Sequence, residues 1–545
     1  MIVSVVRPAL ASFLPNAEGL RLNGANLADA RALRAFANAD GVEALEVFLL
    51  PREMLPIDRL AALADSILDP ERRGQGRLRF HALHNLPAVW ADAAPRLLFC
   101  QDLYLLNRER YLRDRFARGP IALLSDVHCL GHRDIWASFR DLAAMEHVPY
   151  DRIVATSRSL ESGIQASFEF LDRSAPETIV FPRAVDTEKF CPVGEEAKRF
   201  ARRALGLSES VTIALYLSRL TPNDKADLLP LIDAFADVAG KDDLLLIAGS
   251  ENSAGYADAL RRRAAERNVR VEVRTDVPRG GQPVYFAAAD LFVFPGDTIQ
   301  EAVPTAVAEA AACGLPVVAS DWDGIRDIVE HSVTGLLVPT ALGLPPEELA
   351  ALFPASDFIT DFLFMGQSVS VDRQALGSAI AQLLRDSALR AEMGKRGRAF
   401  AERHLGLKDW TPKMVALGKD LLAQAAREPV DHVERRRAAA ERSLRAMPFA
   451  QIFRGYATET IEPNDAVRLT ADGHKALQGK ATPSFYDACL PHLTPLVVPT
   501  LLRAVESEGC FGKSVDRAAA EAGISPEWTR FALLLLVKHG YVQRS

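Results

Sequence analysis

Short apolar runs alternate with amphipathic stretches through the first two hundred residues. Ile2–Val6, Leu45–Leu50, Leu97–Cys100, Ile121–Ser125, Ile153–Thr156 and Ile179–Phe181 are nearly continuous apolar runs of strand length. That is the pattern of strands buried on both faces of a parallel sheet. Leu27–Ala39, Ile57–Leu68 and Ser159–Leu171 repeat their apolar positions at helical spacing. Strand and helix in alternation predict a doubly wound α/β domain over residues 1–205.

The pattern restarts after the polar stretch Lys189–Ser210. Strands are expected at Val211–Leu217, Leu244–Ala248, Val269–Val273, Leu291–Phe294 and Pro316–Ser320, with helices at Leu228–Val238, Tyr256–Arg267, Val284–Ala289 and Thr305–Cys313. Residues 206–372 therefore read as a second doubly wound domain. Two such domains in tandem place a ligand cleft between the carboxyl ends of their strands. Residues 373–428 read as helical, with Asp372 as cap. Residues 429–545 form a mainly α extension that closes with helix, turn at Gly523, helix and short strand, the helix-turn-helix or winged-helix pattern.

Composition narrows the function classes. At about 150 residues per domain, 545 residues predict three to four domains. A hydrophobic share of 49% and a charged share of 25% are those of a globular chain. The net charge of −7 argues against a bulk polyanion binder. The six cysteines, Cys100, Cys129, Cys191, Cys313, Cys489 and Cys510, stand singly. Without C-x-x-C spacing or a disulfide framework, they point to a reducing compartment. The first residues lack a secretory pattern, and no apolar run is long enough to span a membrane. A cytoplasmic location is expected.

The densest chemical signal runs from Asp297 to Ser320. Pro304 suits a helix N1 position, and Gly314 with Pro316 ends the helix. Glu301 then precedes the helix and Glu309 lies within it, roughly 12 Å apart along the axis at about 1.5 Å per residue. The pair could span an elongated polyhydroxy ligand, with the N–H groups at Thr305 and Ala306 offering a seat for a diphosphate between them. The plainer alternative is a solvated helix face.

Glu301 and Glu309, followed by Cys313-Gly314-Leu315-Pro316-Val317-Val318, resemble the Glu-x7-Glu signature of GT-B glycosyltransferases of family 4 (glycosyl transferases group 1). Leu217-Ser218-Arg219-Leu220 with Lys225, Val185-Asp186 through Phe190, and Ala289 through Pro295 resemble further family motifs in the same order. The resemblance implies two Rossmann-like GT-B domains and a metal-independent, retaining transfer of a sugar from a UDP- or GDP-linked donor to an acceptor hydroxyl. It implies that Glu309 binds the ribose and Glu301 the donor sugar. Arg219 and Lys225 would neutralise the diphosphate, and His128 would sit near the reacting centre. The glycine-bearing loop Asn16–Asn26, with Gly24, would face the diphosphate. No separate cofactor or metal is expected. His128, Cys129 and His132 could also be read as metal ligands, but no carboxylate completes the spacing.

The chain departs from the pattern at three places. Ala302-Val303-Pro304 replaces Gly-Phe-Gly, Arg183-Ala184 replaces Asn-Gly, and the Arg219-to-Lys225 spacing is one residue longer than the family's. These departures leave a second class open, a sugar-nucleotide-binding regulatory protein with a degenerate phosphate loop. The acceptor is expected to be a protein or peptide, or a lipid-linked glycan. Arg108, Arg110, Arg113, Arg115 and Arg118 could lie on an anionic membrane or form a solvated helix face. The C-terminal helices carry few basic residues, so nucleic acid is not the expected partner. A protein-binding or dimerising module is.

Overall fold

The computed structural model describes residues 1–6, 24–50, 55–100, 106–131, 133–278, 280–299, 302–343, 347–355, 358–443, 445, 447–459, 461–462, 464–485 and 496–545. The chain divides into two compact units. One comprises Met1–Phe48 with Leu55–Arg437, the other Leu49–Met54 with Ala438–Ser545.

The first unit holds two sheets. Strands β1 (Ile2–Val6), β2 (Ala44–Leu49), β3 (Leu78–Ala82), β4 (Arg96–Cys100), β5 (Ile121–Val127), β6 (Asp151–Ala155) and β7 (Thr178–Val180) are ordered β3-β2-β1-β4-β5-β6-β7. Strands β8 (Thr212–Leu217), β9 (Asp243–Ala248), β10 (Val271–Arg274), β11 (Leu291–Phe294), β12 (Val317–Ser320) and β13 (Gly335–Val338) are ordered β10-β9-β8-β11-β12-β13. The pairs β1/β4, β8/β11 and β11/β12 are parallel. Each order reverses direction once, between β1 and β4 and between β8 and β11. Loops on either side of such a switch point splay apart and leave a crevice at the strands' carboxyl ends. The expected pair of doubly wound domains is therefore present. β3 and β13 lie outside the strands read from the sequence.

The expected boundary at residue 205 falls one helix too late. The Glu195–Ala204 helix packs on the second lobe, where Arg202 donates to the Ala288 carbonyl at 3.0 Å and pairs with Asp290 at 2.7 Å. Asp372 caps the Arg373–Arg385 helix by accepting the Ala375 N–H. The Leu407–Ala425 helix returns to the first lobe, where Trp410 meets Phe36 edge-on.

Two arginines of the arginine-rich segment are neither solvated nor exposed to a membrane surface. In the Leu106–Phe116 helix, Arg110 and Arg113 are each only 4% exposed. Arg113 pairs with Asp114 and Asp151, and Arg110 lies 3.4 Å from Asp151. Arg436 joins the cluster through Asp114, Glu428 and Tyr150. A guanidinium so enclosed neither faces a membrane nor forms a solvated surface.

In the second unit, the Val497–Glu508, Phe511–Ala522 and Pro526–Lys538 helices pack through Leu501, Val505, Phe511, Val515, Leu533 and Leu536. Ser525 caps the last helix, accepting the Trp528 N–H. Strand Val467–Leu469 pairs antiparallel with Val542–Arg544. This is the mainly helical, winged-helix-like extension expected. Among the described residues no helix is long and apolar enough to cross a membrane.

Candidate functional site

The loops at the switch point of the second sheet bring the expected residues together. The chain leaves β8 into Ser218-Arg219 and leaves β11 into Pro295–Thr298. The two loops hold each other: the Asp227 N–H donates to both Asp297 carboxylate oxygens at 3.2 and 3.3 Å, and the Thr298 hydroxyl donates to the Asn223 carbonyl at 3.4 Å. Arg219 pairs with Asp224 at 2.7 Å, and both are partly exposed. Lys225 stands on the same loop, also partly exposed.

The helix after β11 runs Thr305–Ala312. Pro304 is its N-cap rather than N1, one residue earlier than expected, and provides no side-chain acceptor. Thr305 and Ala306 open the helix, partly exposed, where backbone N–H groups have no partner within the helix. Gly314 ends it with φ +75°, a conformation that favours glycine. Glu301 lies outside the described residues, as do His132 and the loop before Gly24; Gly24 is the first residue of the Gly24–Asn38 helix.

Glu309 is 7% exposed, and burial raises its carboxyl pKa. Arg31, on the Gly24–Asn38 helix of the other lobe, opposes that rise by donating from Nη2 to Oε1 at 2.7 Å. Arg31 also lies over the Phe190 ring. Asp297 is perturbed in the same direction. Burial, then the Asp227 carboxylate, push it up to about 8, so it is a protonated carboxyl at neutral pH.

Across the lobes, His128 follows β5. Arg183 Nη2 lies 2.7 Å from His128 Nε2 and donates to Asp126 at 3.1 Å. A guanidinium has no acceptor, so Nε2 must accept and the imidazole is the neutral Nδ1–H tautomer. Arg31, Asp126 and Arg183 line a narrow pocket with Phe99, Phe181 and Trp410. The lobes are also joined by Ser157 to Asp323 at 2.8 Å and by the Arg158 N–H to Asp327 at 2.7 Å.

Arg31 and Asp224 carry no sequence signal of their own, and Asp297 stands at the edge of the Asp297–Ser320 motif without an assigned role. Arg31 reaches its partner across 278 residues. Only Arg183 was marked, as a departure from the family pattern.

Comparison with known proteins places this arrangement. Residues 182–352 match the family described as glycosyl transferases group 1. A GDP-mannose-dependent monoacylated alpha-(1-6)-phosphatidylinositol monomannoside mannosyltransferase of Corynebacterium glutamicum is 30% identical over 228 residues, 41% of this chain and 50% of that protein. A GDP-mannose-dependent alpha-(1-6)-phosphatidylinositol monomannoside mannosyltransferase of Mycolicibacterium smegmatis is 26% identical over 60% of this chain and 73% of that one. The D-inositol 3-phosphate glycosyltransferase of Jonesia denitrificans is 31% identical over 30% of this chain and 40% of its own length. The chain thus spans half or less of the first curated relatives it matches. In fold, a sucrose-phosphate synthase of Thermosynechococcus elongatus superposes with a TM-score of 0.54 at 20% identity, covering 78% of this chain and 99% of that one. Anabaena HepE in complex with UDP and glucose superposes at 0.52 and 16% identity, covering 76% and 98%. Residues 182–352 are thus similar to the glycosyl transferases group 1 family, and the two-lobed architecture is a GT-B fold.

Proposed function

We propose that the protein is a retaining glycosyltransferase that moves a sugar from a nucleoside diphosphate sugar to an acceptor hydroxyl without a metal ion. The observation that carries this is the buried Glu309 carboxylate on the helix that opens at Thr305. That helix rises from the same switch point as the loop bearing Arg219 and Lys225. A carboxylate there can accept both ribose hydroxyls. The helix start and the two cations can take the diphosphate and stabilise its growing charge as the glycosidic bond breaks. Glu301 is assigned to the donor-sugar hydroxyls. No covalent nucleophile is invoked: the departing phosphate oxygen takes the acceptor proton, and the chain mainly positions the reactants.

His128 accepts from Arg183, and we assign it to the donor sugar or its phosphate. The relatives named as GDP-mannose-dependent favour GDP over UDP as the donor nucleotide, and their lipid-linked acceptors favour a lipid-linked glycan over a peptide.

The second reading, a nucleotide-sugar-binding regulator, rests on Pro304 at the helix entry, which removes a backbone donor there. Incubating the full chain with UDP- and GDP-sugars and measuring released nucleoside diphosphate separates the two. Turnover that is lost in Glu301→Ala and Glu309→Ala supports the transferase. Tight binding with no release, with or without glycolipid acceptors, supports the regulator.

A further inference from the structure

The ion pair between Arg31 and Glu309 occupies the carboxylate that the donor needs. Glu309 is nearly sealed from water, at 9% side-chain exposure, and Arg31 is 20% exposed. A carboxylate enclosed to this degree is stable only with a charged or multiply hydrogen-bonding partner. That partner, Arg31, comes from the opposite lobe.

Resting on the assignment of Glu309 to the ribose, we propose that Arg31 is a built-in competitor of the donor: its guanidinium holds Glu309 Oε1, and nucleotide binding displaces it. A ribose brings two neutral hydroxyl donors to the carboxylate. Both partners make charge-assisted bonds to the carboxylate, but the guanidinium, at 2.7 Å, also neutralises its charge. The nucleotide must therefore spend part of its binding free energy on releasing Arg31. The same step cuts one tie between the lobes. The other ties, Ser157–Asp323 and Arg158–Asp327, involve no residue assigned to the donor. Donor binding would remove one contact and leave the rest, so the lobes stay joined while the nucleoside pocket opens.

The test is titration calorimetry on the full chain with UDP and with GDP. Arg31→Met removes the guanidinium and keeps an apolar stem over Phe190. Arg31→Lys keeps a charge without the planar fork. Asp327→Ala loosens the lobes without touching Glu309. Thermal melts check that each variant is folded. The proposal expects Arg31→Met to bind the preferred nucleotide about 3- to 10-fold more tightly, Arg31→Lys to fall between it and wild type, and Asp327→Ala to show no tightening. A merely structural role for Arg31 would weaken binding or leave it unchanged. Equal or weaker binding by Arg31→Met, or equal tightening by Asp327→Ala, overturns the proposal while leaving the donor site standing. Failure of both nucleotides to bind wild type and every variant overturns the donor assignment itself.

Discussion

Two carboxyls of the second lobe are kept from water in different ways. Glu309 is buried against a guanidinium, Asp297 against another carboxylate and a backbone N–H. Asp297 yields a signed prediction. The folded chain holds its proton up to about pH 8, whereas an unfolded aspartate releases it near 4. Across that window the folded state binds more protons, so stability falls as pH rises, by up to about 1.4 kcal/mol per pH unit, and levels off above it. Asp297→Asn should remove this slope. Its melting temperature should exceed wild type at pH 8.5 and match it at pH 4.5, as read by calorimetry across pH. Glu309→Gln should weaken nucleotide binding about 10-fold or more, because hydrogen bonds to a charged group contribute roughly 1.5–3 kcal/mol; a titration checks this. Glu309 was legible because it sits in a spaced pattern with a helix start and stop around it. Arg31 was not, because no local rule connects positions 31 and 309.

At the scale of elements, the Thr305–Ala312 helix is held by its neighbours as much as by its own sequence. Gly394, in the Ser387–His404 helix, lies so close that an added Cβ would come within 2.0 Å of the Gly314 carbonyl oxygen. Gly394→Ala should push that helix away from the end of the one bearing Glu309. Overpacking of this kind costs about 1–3 kcal/mol, measurable by urea unfolding, and nucleotide binding should weaken with it. The Leu106–Phe116 helix shows where pattern reading stops. Its alternating charges suggest a wet surface, yet Arg113 is buried among Asp114, Asp151 and Tyr150. Arg113→Met should destabilise the chain by about 3–5 kcal/mol, because it strands buried carboxylates; denaturant unfolding reads this. β3 escaped detection because its five residues are only half-buried, and β13 because Gly335–Val338 is too short to show a period.

For the molecule as a whole, the apolar pattern was enough to read two doubly wound lobes and a helical extension. It misplaced the joints, since Glu195–Ala204 and Arg436 are held by contacts distant in sequence. The compact first unit ends at Arg437, not near 428. A chain cut after Arg437 keeps Glu428 and Arg436 on Tyr150 and should remain folded and bind nucleotide, whereas a cut after Arg427 should lower its melting temperature. If the second unit selects the acceptor, the chain cut after Arg437 should lose transfer while keeping donor binding; unchanged transfer would contradict that role. The central claim is that the Glu309 cleft is a nucleoside diphosphate sugar site. Its most direct test is equilibrium titration of UDP, GDP and their sugar derivatives into wild type and Glu309→Ala. Saturable binding of one nucleotide that weakens at least 10-fold in Glu309→Ala is the predicted result. No binding of either nucleotide, or binding that Glu309→Ala leaves unchanged, would contradict it.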